Sequence, residues 1–140
     1  MKSEKYRLLS AIYMYNEESA IMIKSRNFAL RITKMVDFLQ RNRGKTYNSI
    51  YNQVLRSGTS IMANIGESQF AQSRADFITK LHIALKEANE TKNWLFLLHG
   101  KGILNEKEYD SINHDCKEIV ALLVSSLNTA KKNALLKGSD

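Results

Sequence analysis

Apolar and small residues recur at steps of four and three over three heptads in one long segment of the chain. Ser73, with Asp76 three residues later, marks the start of this segment as a near capping box. Its repeating positions are Phe77, Leu81, Ala84, Ala88, Thr91, Leu95 and Leu98. Such a seam is typical of antiparallel helix bundles. The pattern therefore predicts a long helix that ends at Gly100.

The following segment repeats this spacing. Asn105 is a capping residue, Glu106 and Glu108 suit the first turn of a helix, and Lys131 suits the last. The repeating positions are Tyr109, Ile112, Cys116, Ile119, Leu123 and Ser126. We predict a helix that Asn105 caps and that ends near Asn133.

Two earlier segments also predict helices. The first starts at Asn16 and ends at Asn42, before Gly44, and the second runs from Thr46 through Glu67. Their inward positions are Phe28, Ile32, Met35 and Leu39 in the first, and Tyr47, Ile50, Val54, Ile61 and Ile65 in the second. Gly58 occupies a core position of the second helix, which predicts that a neighbouring helix approaches closely there.

Four long helices with short links predict an all-α fold, an antiparallel up-down-up-down four-helix bundle. Residues 17–133 would form the bundle, residues 1–16 an N-terminal arm that packs on it or on a neighbouring subunit, and residues 134–140 a flexible tail. The composition agrees, because the chain of 140 residues has no proline and 44% hydrophobic residues. It favours long uninterrupted helices over disorder.

The chain lacks the apolar run of a signal peptide, and its longest uncharged run, 119–130, is too short to span a bilayer. The lone Cys116 excludes an internal disulfide and a cysteine-based zinc site. A single thiol fits a reducing compartment. We therefore expect a cytoplasmic protein that does not associate with membranes.

Positive charge is concentrated in the first half of the chain. The net charge is +7, and the first 70 residues hold 11 basic and 5 acidic residues. A localised basic surface favours nucleic acid or an anionic membrane as a partner, while a role in solubility alone stays open. The residues predicted to bind nucleic acid are Lys24, Arg26, Arg31, Lys34, Arg41, Arg43 and Lys45.

Four polar residues line a narrow sector of the second helix: Arg56, Ser60, Asn64 and Glu67, at i, i+4, i+8 and i+11. Their side chains are capable of chemistry, but no base, metal ligand or phosphate loop accompanies them. We predict that they form a structural polar seam, with hydrogen bonds across helices or between subunits and Glu90 as a partner.

No arrangement of residues predicts catalysis. No histidine has a glutamate three residues before it, as a di-iron bundle needs. Glu87 and Glu90 form a carboxylate pair on one helix face, which without a histidine favours interhelical hydrogen bonds over a metal. Cys116 lies at a core position, where a thiol is usually inert. We expect no enzymatic activity, no cofactor and no metal.

Four aromatic residues predict self-association. Trp94, Phe70, Phe96 and Tyr109 would leave one face with more apolar surface than four helices can bury. Such a face is typical of oligomers.

The run from Gln53 to Glu67 resembles the four-helix-bundle proteins encoded in 23S rRNA intervening sequences, whose pattern there is Leu-Arg-x-x-x-Ser-Ile-x-x-Asn-Ile-x-Glu. The runs 73–77 and 84–91 resemble the next two motifs of that family. The resemblance spans about residues 23–127. Related proteins of the same fold are the accessory variability proteins of diversity-generating retroelements. The positions that match the family pattern are Arg56, Ser60, Asn64, Glu67 and Glu90.

The resemblance implies a homopentameric barrel of bundles with a basic surface, which in the retroelement branch binds RNA or DNA and a reverse transcriptase. We therefore predict a non-enzymatic, oligomeric accessory protein that binds nucleic acid, with RNA favoured and a reverse transcriptase as a further partner. The alternative is a protein-interaction scaffold with no nucleic-acid role. The sequence does not decide between the two branches of the family.

Overall fold

The computed structural model describes residues 19–137, which form four α-helices and no strand. The helices are α1 (Ala20–Asn42), α2 (Asn48–Ser68), α3 (Arg74–Gly100) and α4 (Glu106–Lys137). Each helix packs against the next along the chain, and α4 also packs against α1. The all-α fold is confirmed, and these contacts agree with the predicted four-helix bundle.

The ends of the helices differ from the prediction in two places. The proposed cap Asn16 and the arm at residues 1–16 lie outside the described residues, and α1 begins at Ala20. Ser19 caps it, since its hydroxyl accepts a hydrogen bond of 3.3 Å from the backbone N–H of Met22. At the other end, α4 continues to Lys137, four residues beyond the predicted end at Asn133.

Side chains cap α3 and α4 as their sequences predict. The Ser73 hydroxyl accepts a hydrogen bond of 3.1 Å from the backbone N–H of Asp76. Asn105 and Glu108 cap α4 reciprocally: each side chain accepts from the other residue's backbone N–H, at 2.8 and 2.9 Å. Gly102, between the two helices, has a φ of +76°, a conformation that glycine adopts without strain.

The core consists of the inward-facing apolar residues of all four helices. Most predicted core positions are buried. Six of them are only half-buried: Met35, Tyr47, Ile50, Phe77, Tyr109 and Ser126. Tyr51 is a core residue that the pattern missed. Its side chain is fully buried, and its hydroxyl has no hydrogen-bond partner among the described residues.

Helices α1 and α2 approach most closely where Gly58 meets Ile32. A Cβ atom at Gly58 would lie 3.0 Å from Cγ2 and 3.1 Å from Cγ1 of Ile32. Ile32 is fully buried and β-branched, so its side chain has little freedom to move away. The predicted close approach at Gly58 is therefore confirmed.

Two glycine-to-alanine substitutions test this contact against each other. Gly58→Ala should lower the free energy of unfolding by about 1 kcal/mol, because overpacking against Ile32 outweighs the gain in helix propensity. Gly66→Ala should raise it by about 0.5–1 kcal/mol, since nothing lies within 4 Å of the added Cβ. Urea denaturation of both variants measures the difference. Equal changes of the same sign would contradict the close approach.

Candidate nucleic-acid interface

Three of the seven cations predicted to bind nucleic acid form ion pairs with acids on α4. We call these pairs the α1–α4 ion ladder, and they are Lys24–Glu118, Arg31–Asp115 and Arg43–Glu108. As the number of the basic residue rises, the number of its acidic partner falls, as antiparallel helices require. The ladder therefore joins the last helix of the bundle to the first.

The strongest rung of the ladder is Arg43 with Glu108. Two guanidinium nitrogens of Arg43 donate to the two carboxylate oxygens of Glu108, each at 2.9 Å. Arg43 also donates to the backbone carbonyl of Ile103 at 2.6 Å. The bond from Arg43, helped by the backbone N–H of Asn105, lowers the pKa of Glu108. Glu108 therefore stays ionised to lower pH in the folded protein than in the unfolded chain.

The other two rungs lie at the surface. Lys24 is 2.5 Å from Glu118, and this hydrogen bond raises the pKa of Lys24 and lowers that of Glu118. Arg31 binds Asp115 and also donates to the hydroxyl of Ser111 at 3.0 Å. Exposed pairs of this kind add little stability one by one, so they orient α4 more than they hold it.

The remaining four predicted cations face solvent. Arg41 contacts Asp37 of its own helix at 3.2 Å, yet 76% of its side chain is exposed. Arg26, Lys34 and Lys45 are exposed and make no ion pair within residues 19–137. These three side chains are thus free to meet a phosphate group.

The polar seam of α2 forms contacts with α3 at two of its four residues. Arg56 donates to Glu87 at 3.2 Å and also binds Glu90. Glu67 accepts from Lys80 of α3 at 2.9 Å. The other two residues stay within α2: the side-chain amide of Asn64 donates to the backbone carbonyl of Ser60 at 2.9 Å, and the Ser60 hydroxyl makes no hydrogen bond within the described range.

Beneath this seam lies a buried pair of hydroxyls, of which the helical repeat predicted only Thr91 as a core residue. Ser57 and Thr91 are fully buried, with their oxygens 2.8 Å apart. One hydroxyl donates to the other, and each also lies 2.8 Å from a backbone carbonyl of its own helix. Ser57 lies between the core positions Val54 and Ile61 in the helical repeat, and this position could have predicted that Ser57 is buried.

Residues considered for catalysis lie in structural contacts. Burial raises the pKa of Cys116 to about 12, so its thiol is protonated at neutral pH. Glu87 and Glu90 both accept hydrogen bonds from Arg56. In the part of the chain that the structure describes, no three His, Cys, Asp or Glu side chains come together as a metal site.

The four aromatic residues expected to form one apolar face are dispersed. Phe70, two residues after the end of α2, and Phe96, near the end of α3, are exposed at opposite ends of the bundle. Trp94 is half-buried and donates to Glu90 at 3.1 Å, and Tyr109 stacks on His99 with ring centroids 4.4 Å apart. None of α1–α4 has the length and apolar content needed to cross a membrane.

A cavity of about 330 Å³ opens between α1 and α4, next to the ion ladder. Phe38 lines it and is 46% exposed, with the guanidinium of Arg43 at 5.2 Å from the centre of its ring. Its further lining includes Arg31, Met35, Leu104, Lys107 and Ser111. No sequence pattern predicts this cavity, because its walls come from segments about 70 residues apart.

Replacing the charged guanidinium of Arg43 by an uncharged amide tests the ion pair with Glu108. Arg43→Gln should lower the free energy of unfolding at neutral pH by about 1–2 kcal/mol, since a partly buried, bidentate charged hydrogen bond is lost. Arg41→Gln is the matched control and should cost less than about 0.5 kcal/mol, because its ion pair is exposed. Urea denaturation measures both. Equal losses would contradict the special role of Arg43.

The cost of Arg43→Gln should also depend on pH. The pKa of Glu108 is depressed in the folded state, so the pair contributes its stability above the ordinary glutamate pKa of about 4.3. That contribution is lost as the pH falls through the folded-state value. The gap between wild type and Arg43→Gln should therefore narrow in acid, and a gap that stays constant would contradict this assignment.

The sequence and the fold are similar to those of known proteins. The family model of the 23S rRNA-intervening sequence protein matches residues 17–125. A crystal structure from Bacteroides thetaiotaomicron, of a protein with unknown function from the S23 ribosomal protein family, is 50% identical, with a TM-score of 0.74. The match covers 77% of this chain and 98% of that one. No curated protein matches. The chain belongs to the 23S rRNA-intervening sequence protein family.

Proposed function

We propose that this protein is a non-enzymatic, oligomeric accessory protein that binds RNA. The observation that carries the proposal is positive charge left unneutralised on α1 and the loop after it. Arg26, Lys34 and Lys45 are exposed without an ion pair among the described residues, in a chain of net charge +7. Exposed cations that neutralise phosphates and release their counterions supply most of non-specific nucleic-acid affinity.

The family supports RNA over DNA as the bound nucleic acid. Its name connects its members with intervening sequences of 23S rRNA. A reverse transcriptase as a further partner rests on the resemblance to the retroelement proteins alone. RNA binding is therefore the part of the proposal with independent support from charge and family.

The ion ladder separates the cations by role. Lys24, Arg31 and Arg43 hold α4, so reversing their charge would disturb the bundle as well as any RNA contact. Arg26, Lys34 and Lys45 have no such structural partner. A test of RNA binding belongs on the second group.

Self-association is the second part of the proposal. Large apolar side chains remain exposed at Leu30, Phe70 and Phe96, from 59% to 68%. The family resemblance implies a pentamer. Several copies would present several sets of free cations to one RNA, and their weak contacts would add through multivalency.

Charge reversal at the free cations should weaken RNA binding. In the triple variant Arg26→Glu, Lys34→Glu, Lys45→Glu, affinity for a structured RNA at low salt should fall at least about tenfold. The negative slope of log affinity against log salt should become shallower by about 2, because fewer phosphates are neutralised. Fluorescence anisotropy over a salt series measures both quantities.

The matched control is the triple variant Lys86→Glu, Lys117→Glu, Lys132→Glu, which changes the net charge equally at exposed positions on α3 and α4. Its loss of affinity should be clearly smaller. Equal losses would show that net charge alone governs binding. Two results would overturn the proposal. One is binding of RNA by the wild-type protein that does not depend on salt. The other is a pull-down in which the protein retains a protein partner after nuclease treatment and no RNA.

The mass in solution tests the oligomer. Light scattering should give a particle several times heavier than the 16.0 kDa chain, and about 80 kDa for a pentamer. Monomeric protein at concentrations that saturate RNA would contradict self-association.

A further inference from the structure

We infer that the cavity between α1 and α4 is a nucleobase-binding site for single-stranded RNA, in which Phe38 is the stacking platform. This inference rests on the proposed RNA binding and adds where a base is held. Its support comes from three features of the cavity: a fixed aromatic ring, apolar walls of suitable size, and a positively charged rim.

The ring of Phe38 is held in place by Arg43 and remains partly exposed. Arg43 lies over it at 5.2 Å, and Arg43 is itself fixed by Glu108 and by the carbonyl of Ile103. Even so, 46% of Phe38 remains exposed. Exposed aromatic rings that bases stack on are the common feature of proteins that bind single strands. A ring oriented in advance loses little freedom when a base stacks on it.

The cavity has the size and lining for one planar group. At about 330 Å³ it lies at the small end of the range for ligand sites. Leu39, Leu104 and Ile112 provide apolar walls, and Arg31 with Ser111 provides polar atoms. Arg31 has five N–H donors, more than its bonds to Asp115 and Ser111 require. A spare donor can meet an acceptor on the edge of a base.

Cations surround the mouth of the cavity. Lys34 precedes Phe38 by one helical turn, Arg41 follows it by three residues, and Lys107 lines the cavity from α4. The acids nearby, Asp37, Glu108 and Asp115, are each paired with an arginine. Since each of these three pairs is neutral, the positive charge of the mouth beside the aromatic platform comes from Lys34 and Lys107.

A single-stranded RNA matches both properties, because it carries phosphates and unpaired bases on one chain. In a two-fold dimer a second copy of this chain would bring the same positive mouth against this one, and the like charges would repel. A helix of a partner protein needs an extended groove for several apolar anchors, whereas this cavity accepts one group.

The test compares Phe38→Leu with Phe38→Tyr on two probes, a single-stranded RNA oligonucleotide and the same strand with abasic sites. Phe38→Leu should reduce affinity for the normal strand about tenfold, while Phe38→Tyr retains it, since only leucine lacks a stacking face. Neither variant should change affinity for the abasic strand or the salt slope. Phe96→Leu, an equal substitution at a ring that is 64% exposed on α3, is the matched control and should have no effect.

Three results would overturn the inference. The first is unchanged affinity of Phe38→Leu for the normal strand, and the second is an equal loss on the abasic strand. The third is a lower mass of Phe38→Leu in solution, which would make the cavity a subunit interface. In the first two cases salt-dependent binding by wild type would leave the proposed function intact, whereas wild type that binds neither probe nor structured RNA would remove both.

Discussion

One carboxylate, that of Glu108, joins the end of α1 to the start of α4. It accepts two hydrogen bonds from Arg43 and one from the backbone N–H of Asn105, so the group that caps α4 also fastens it to the end of α1. Arg43 in turn reaches the carbonyl of Ile103 and covers one side of Phe38. This corner therefore fixes the first and last helices and shapes the cavity between them. Helices α2 and α3 meet through apolar side chains, through the ion pairs of Arg56 and through the hydrogen bond between Ser57 and Thr91. Helices α1 and α2 come into close contact at Gly58.

The cations of α1 consequently have two different tasks. Those beside α4 neutralise its acids and belong to the fold, while those that face outward keep their charge available. A net charge of +7 does not distinguish the two groups. Their separation follows from the rotation of α1 about its own axis, because residues on one side of the helix meet α4 and residues on the other side meet solvent. The surface of exposed, unpaired positive charge is thus narrower than the count of basic residues implies.

The sequence predicted what depends on local order. The steps of four and three located the core of α3 and α4, and Ser73 and Asn105 marked their starts, because caps and periodicity are local properties. Gly58 marked a close contact for the same reason. The ladder was not predictable, since Arg43 and Glu108 are 65 residues apart and meet only after the helices dock. Phe38 likewise gained its significance from α4, which supplies the opposite wall of the cavity.

Ultraviolet crosslinking of the wild-type protein to a single-stranded RNA, followed by mass spectrometry of the crosslinked peptides, examines most directly whether RNA meets the outward side of α1. Free cations and a stacking platform on the same helix predict crosslinks concentrated in α1 around Phe38, with further crosslinks near Lys107. Crosslinks confined to α2 and α3, away from both, would contradict the division of the cations into structural and RNA-binding groups.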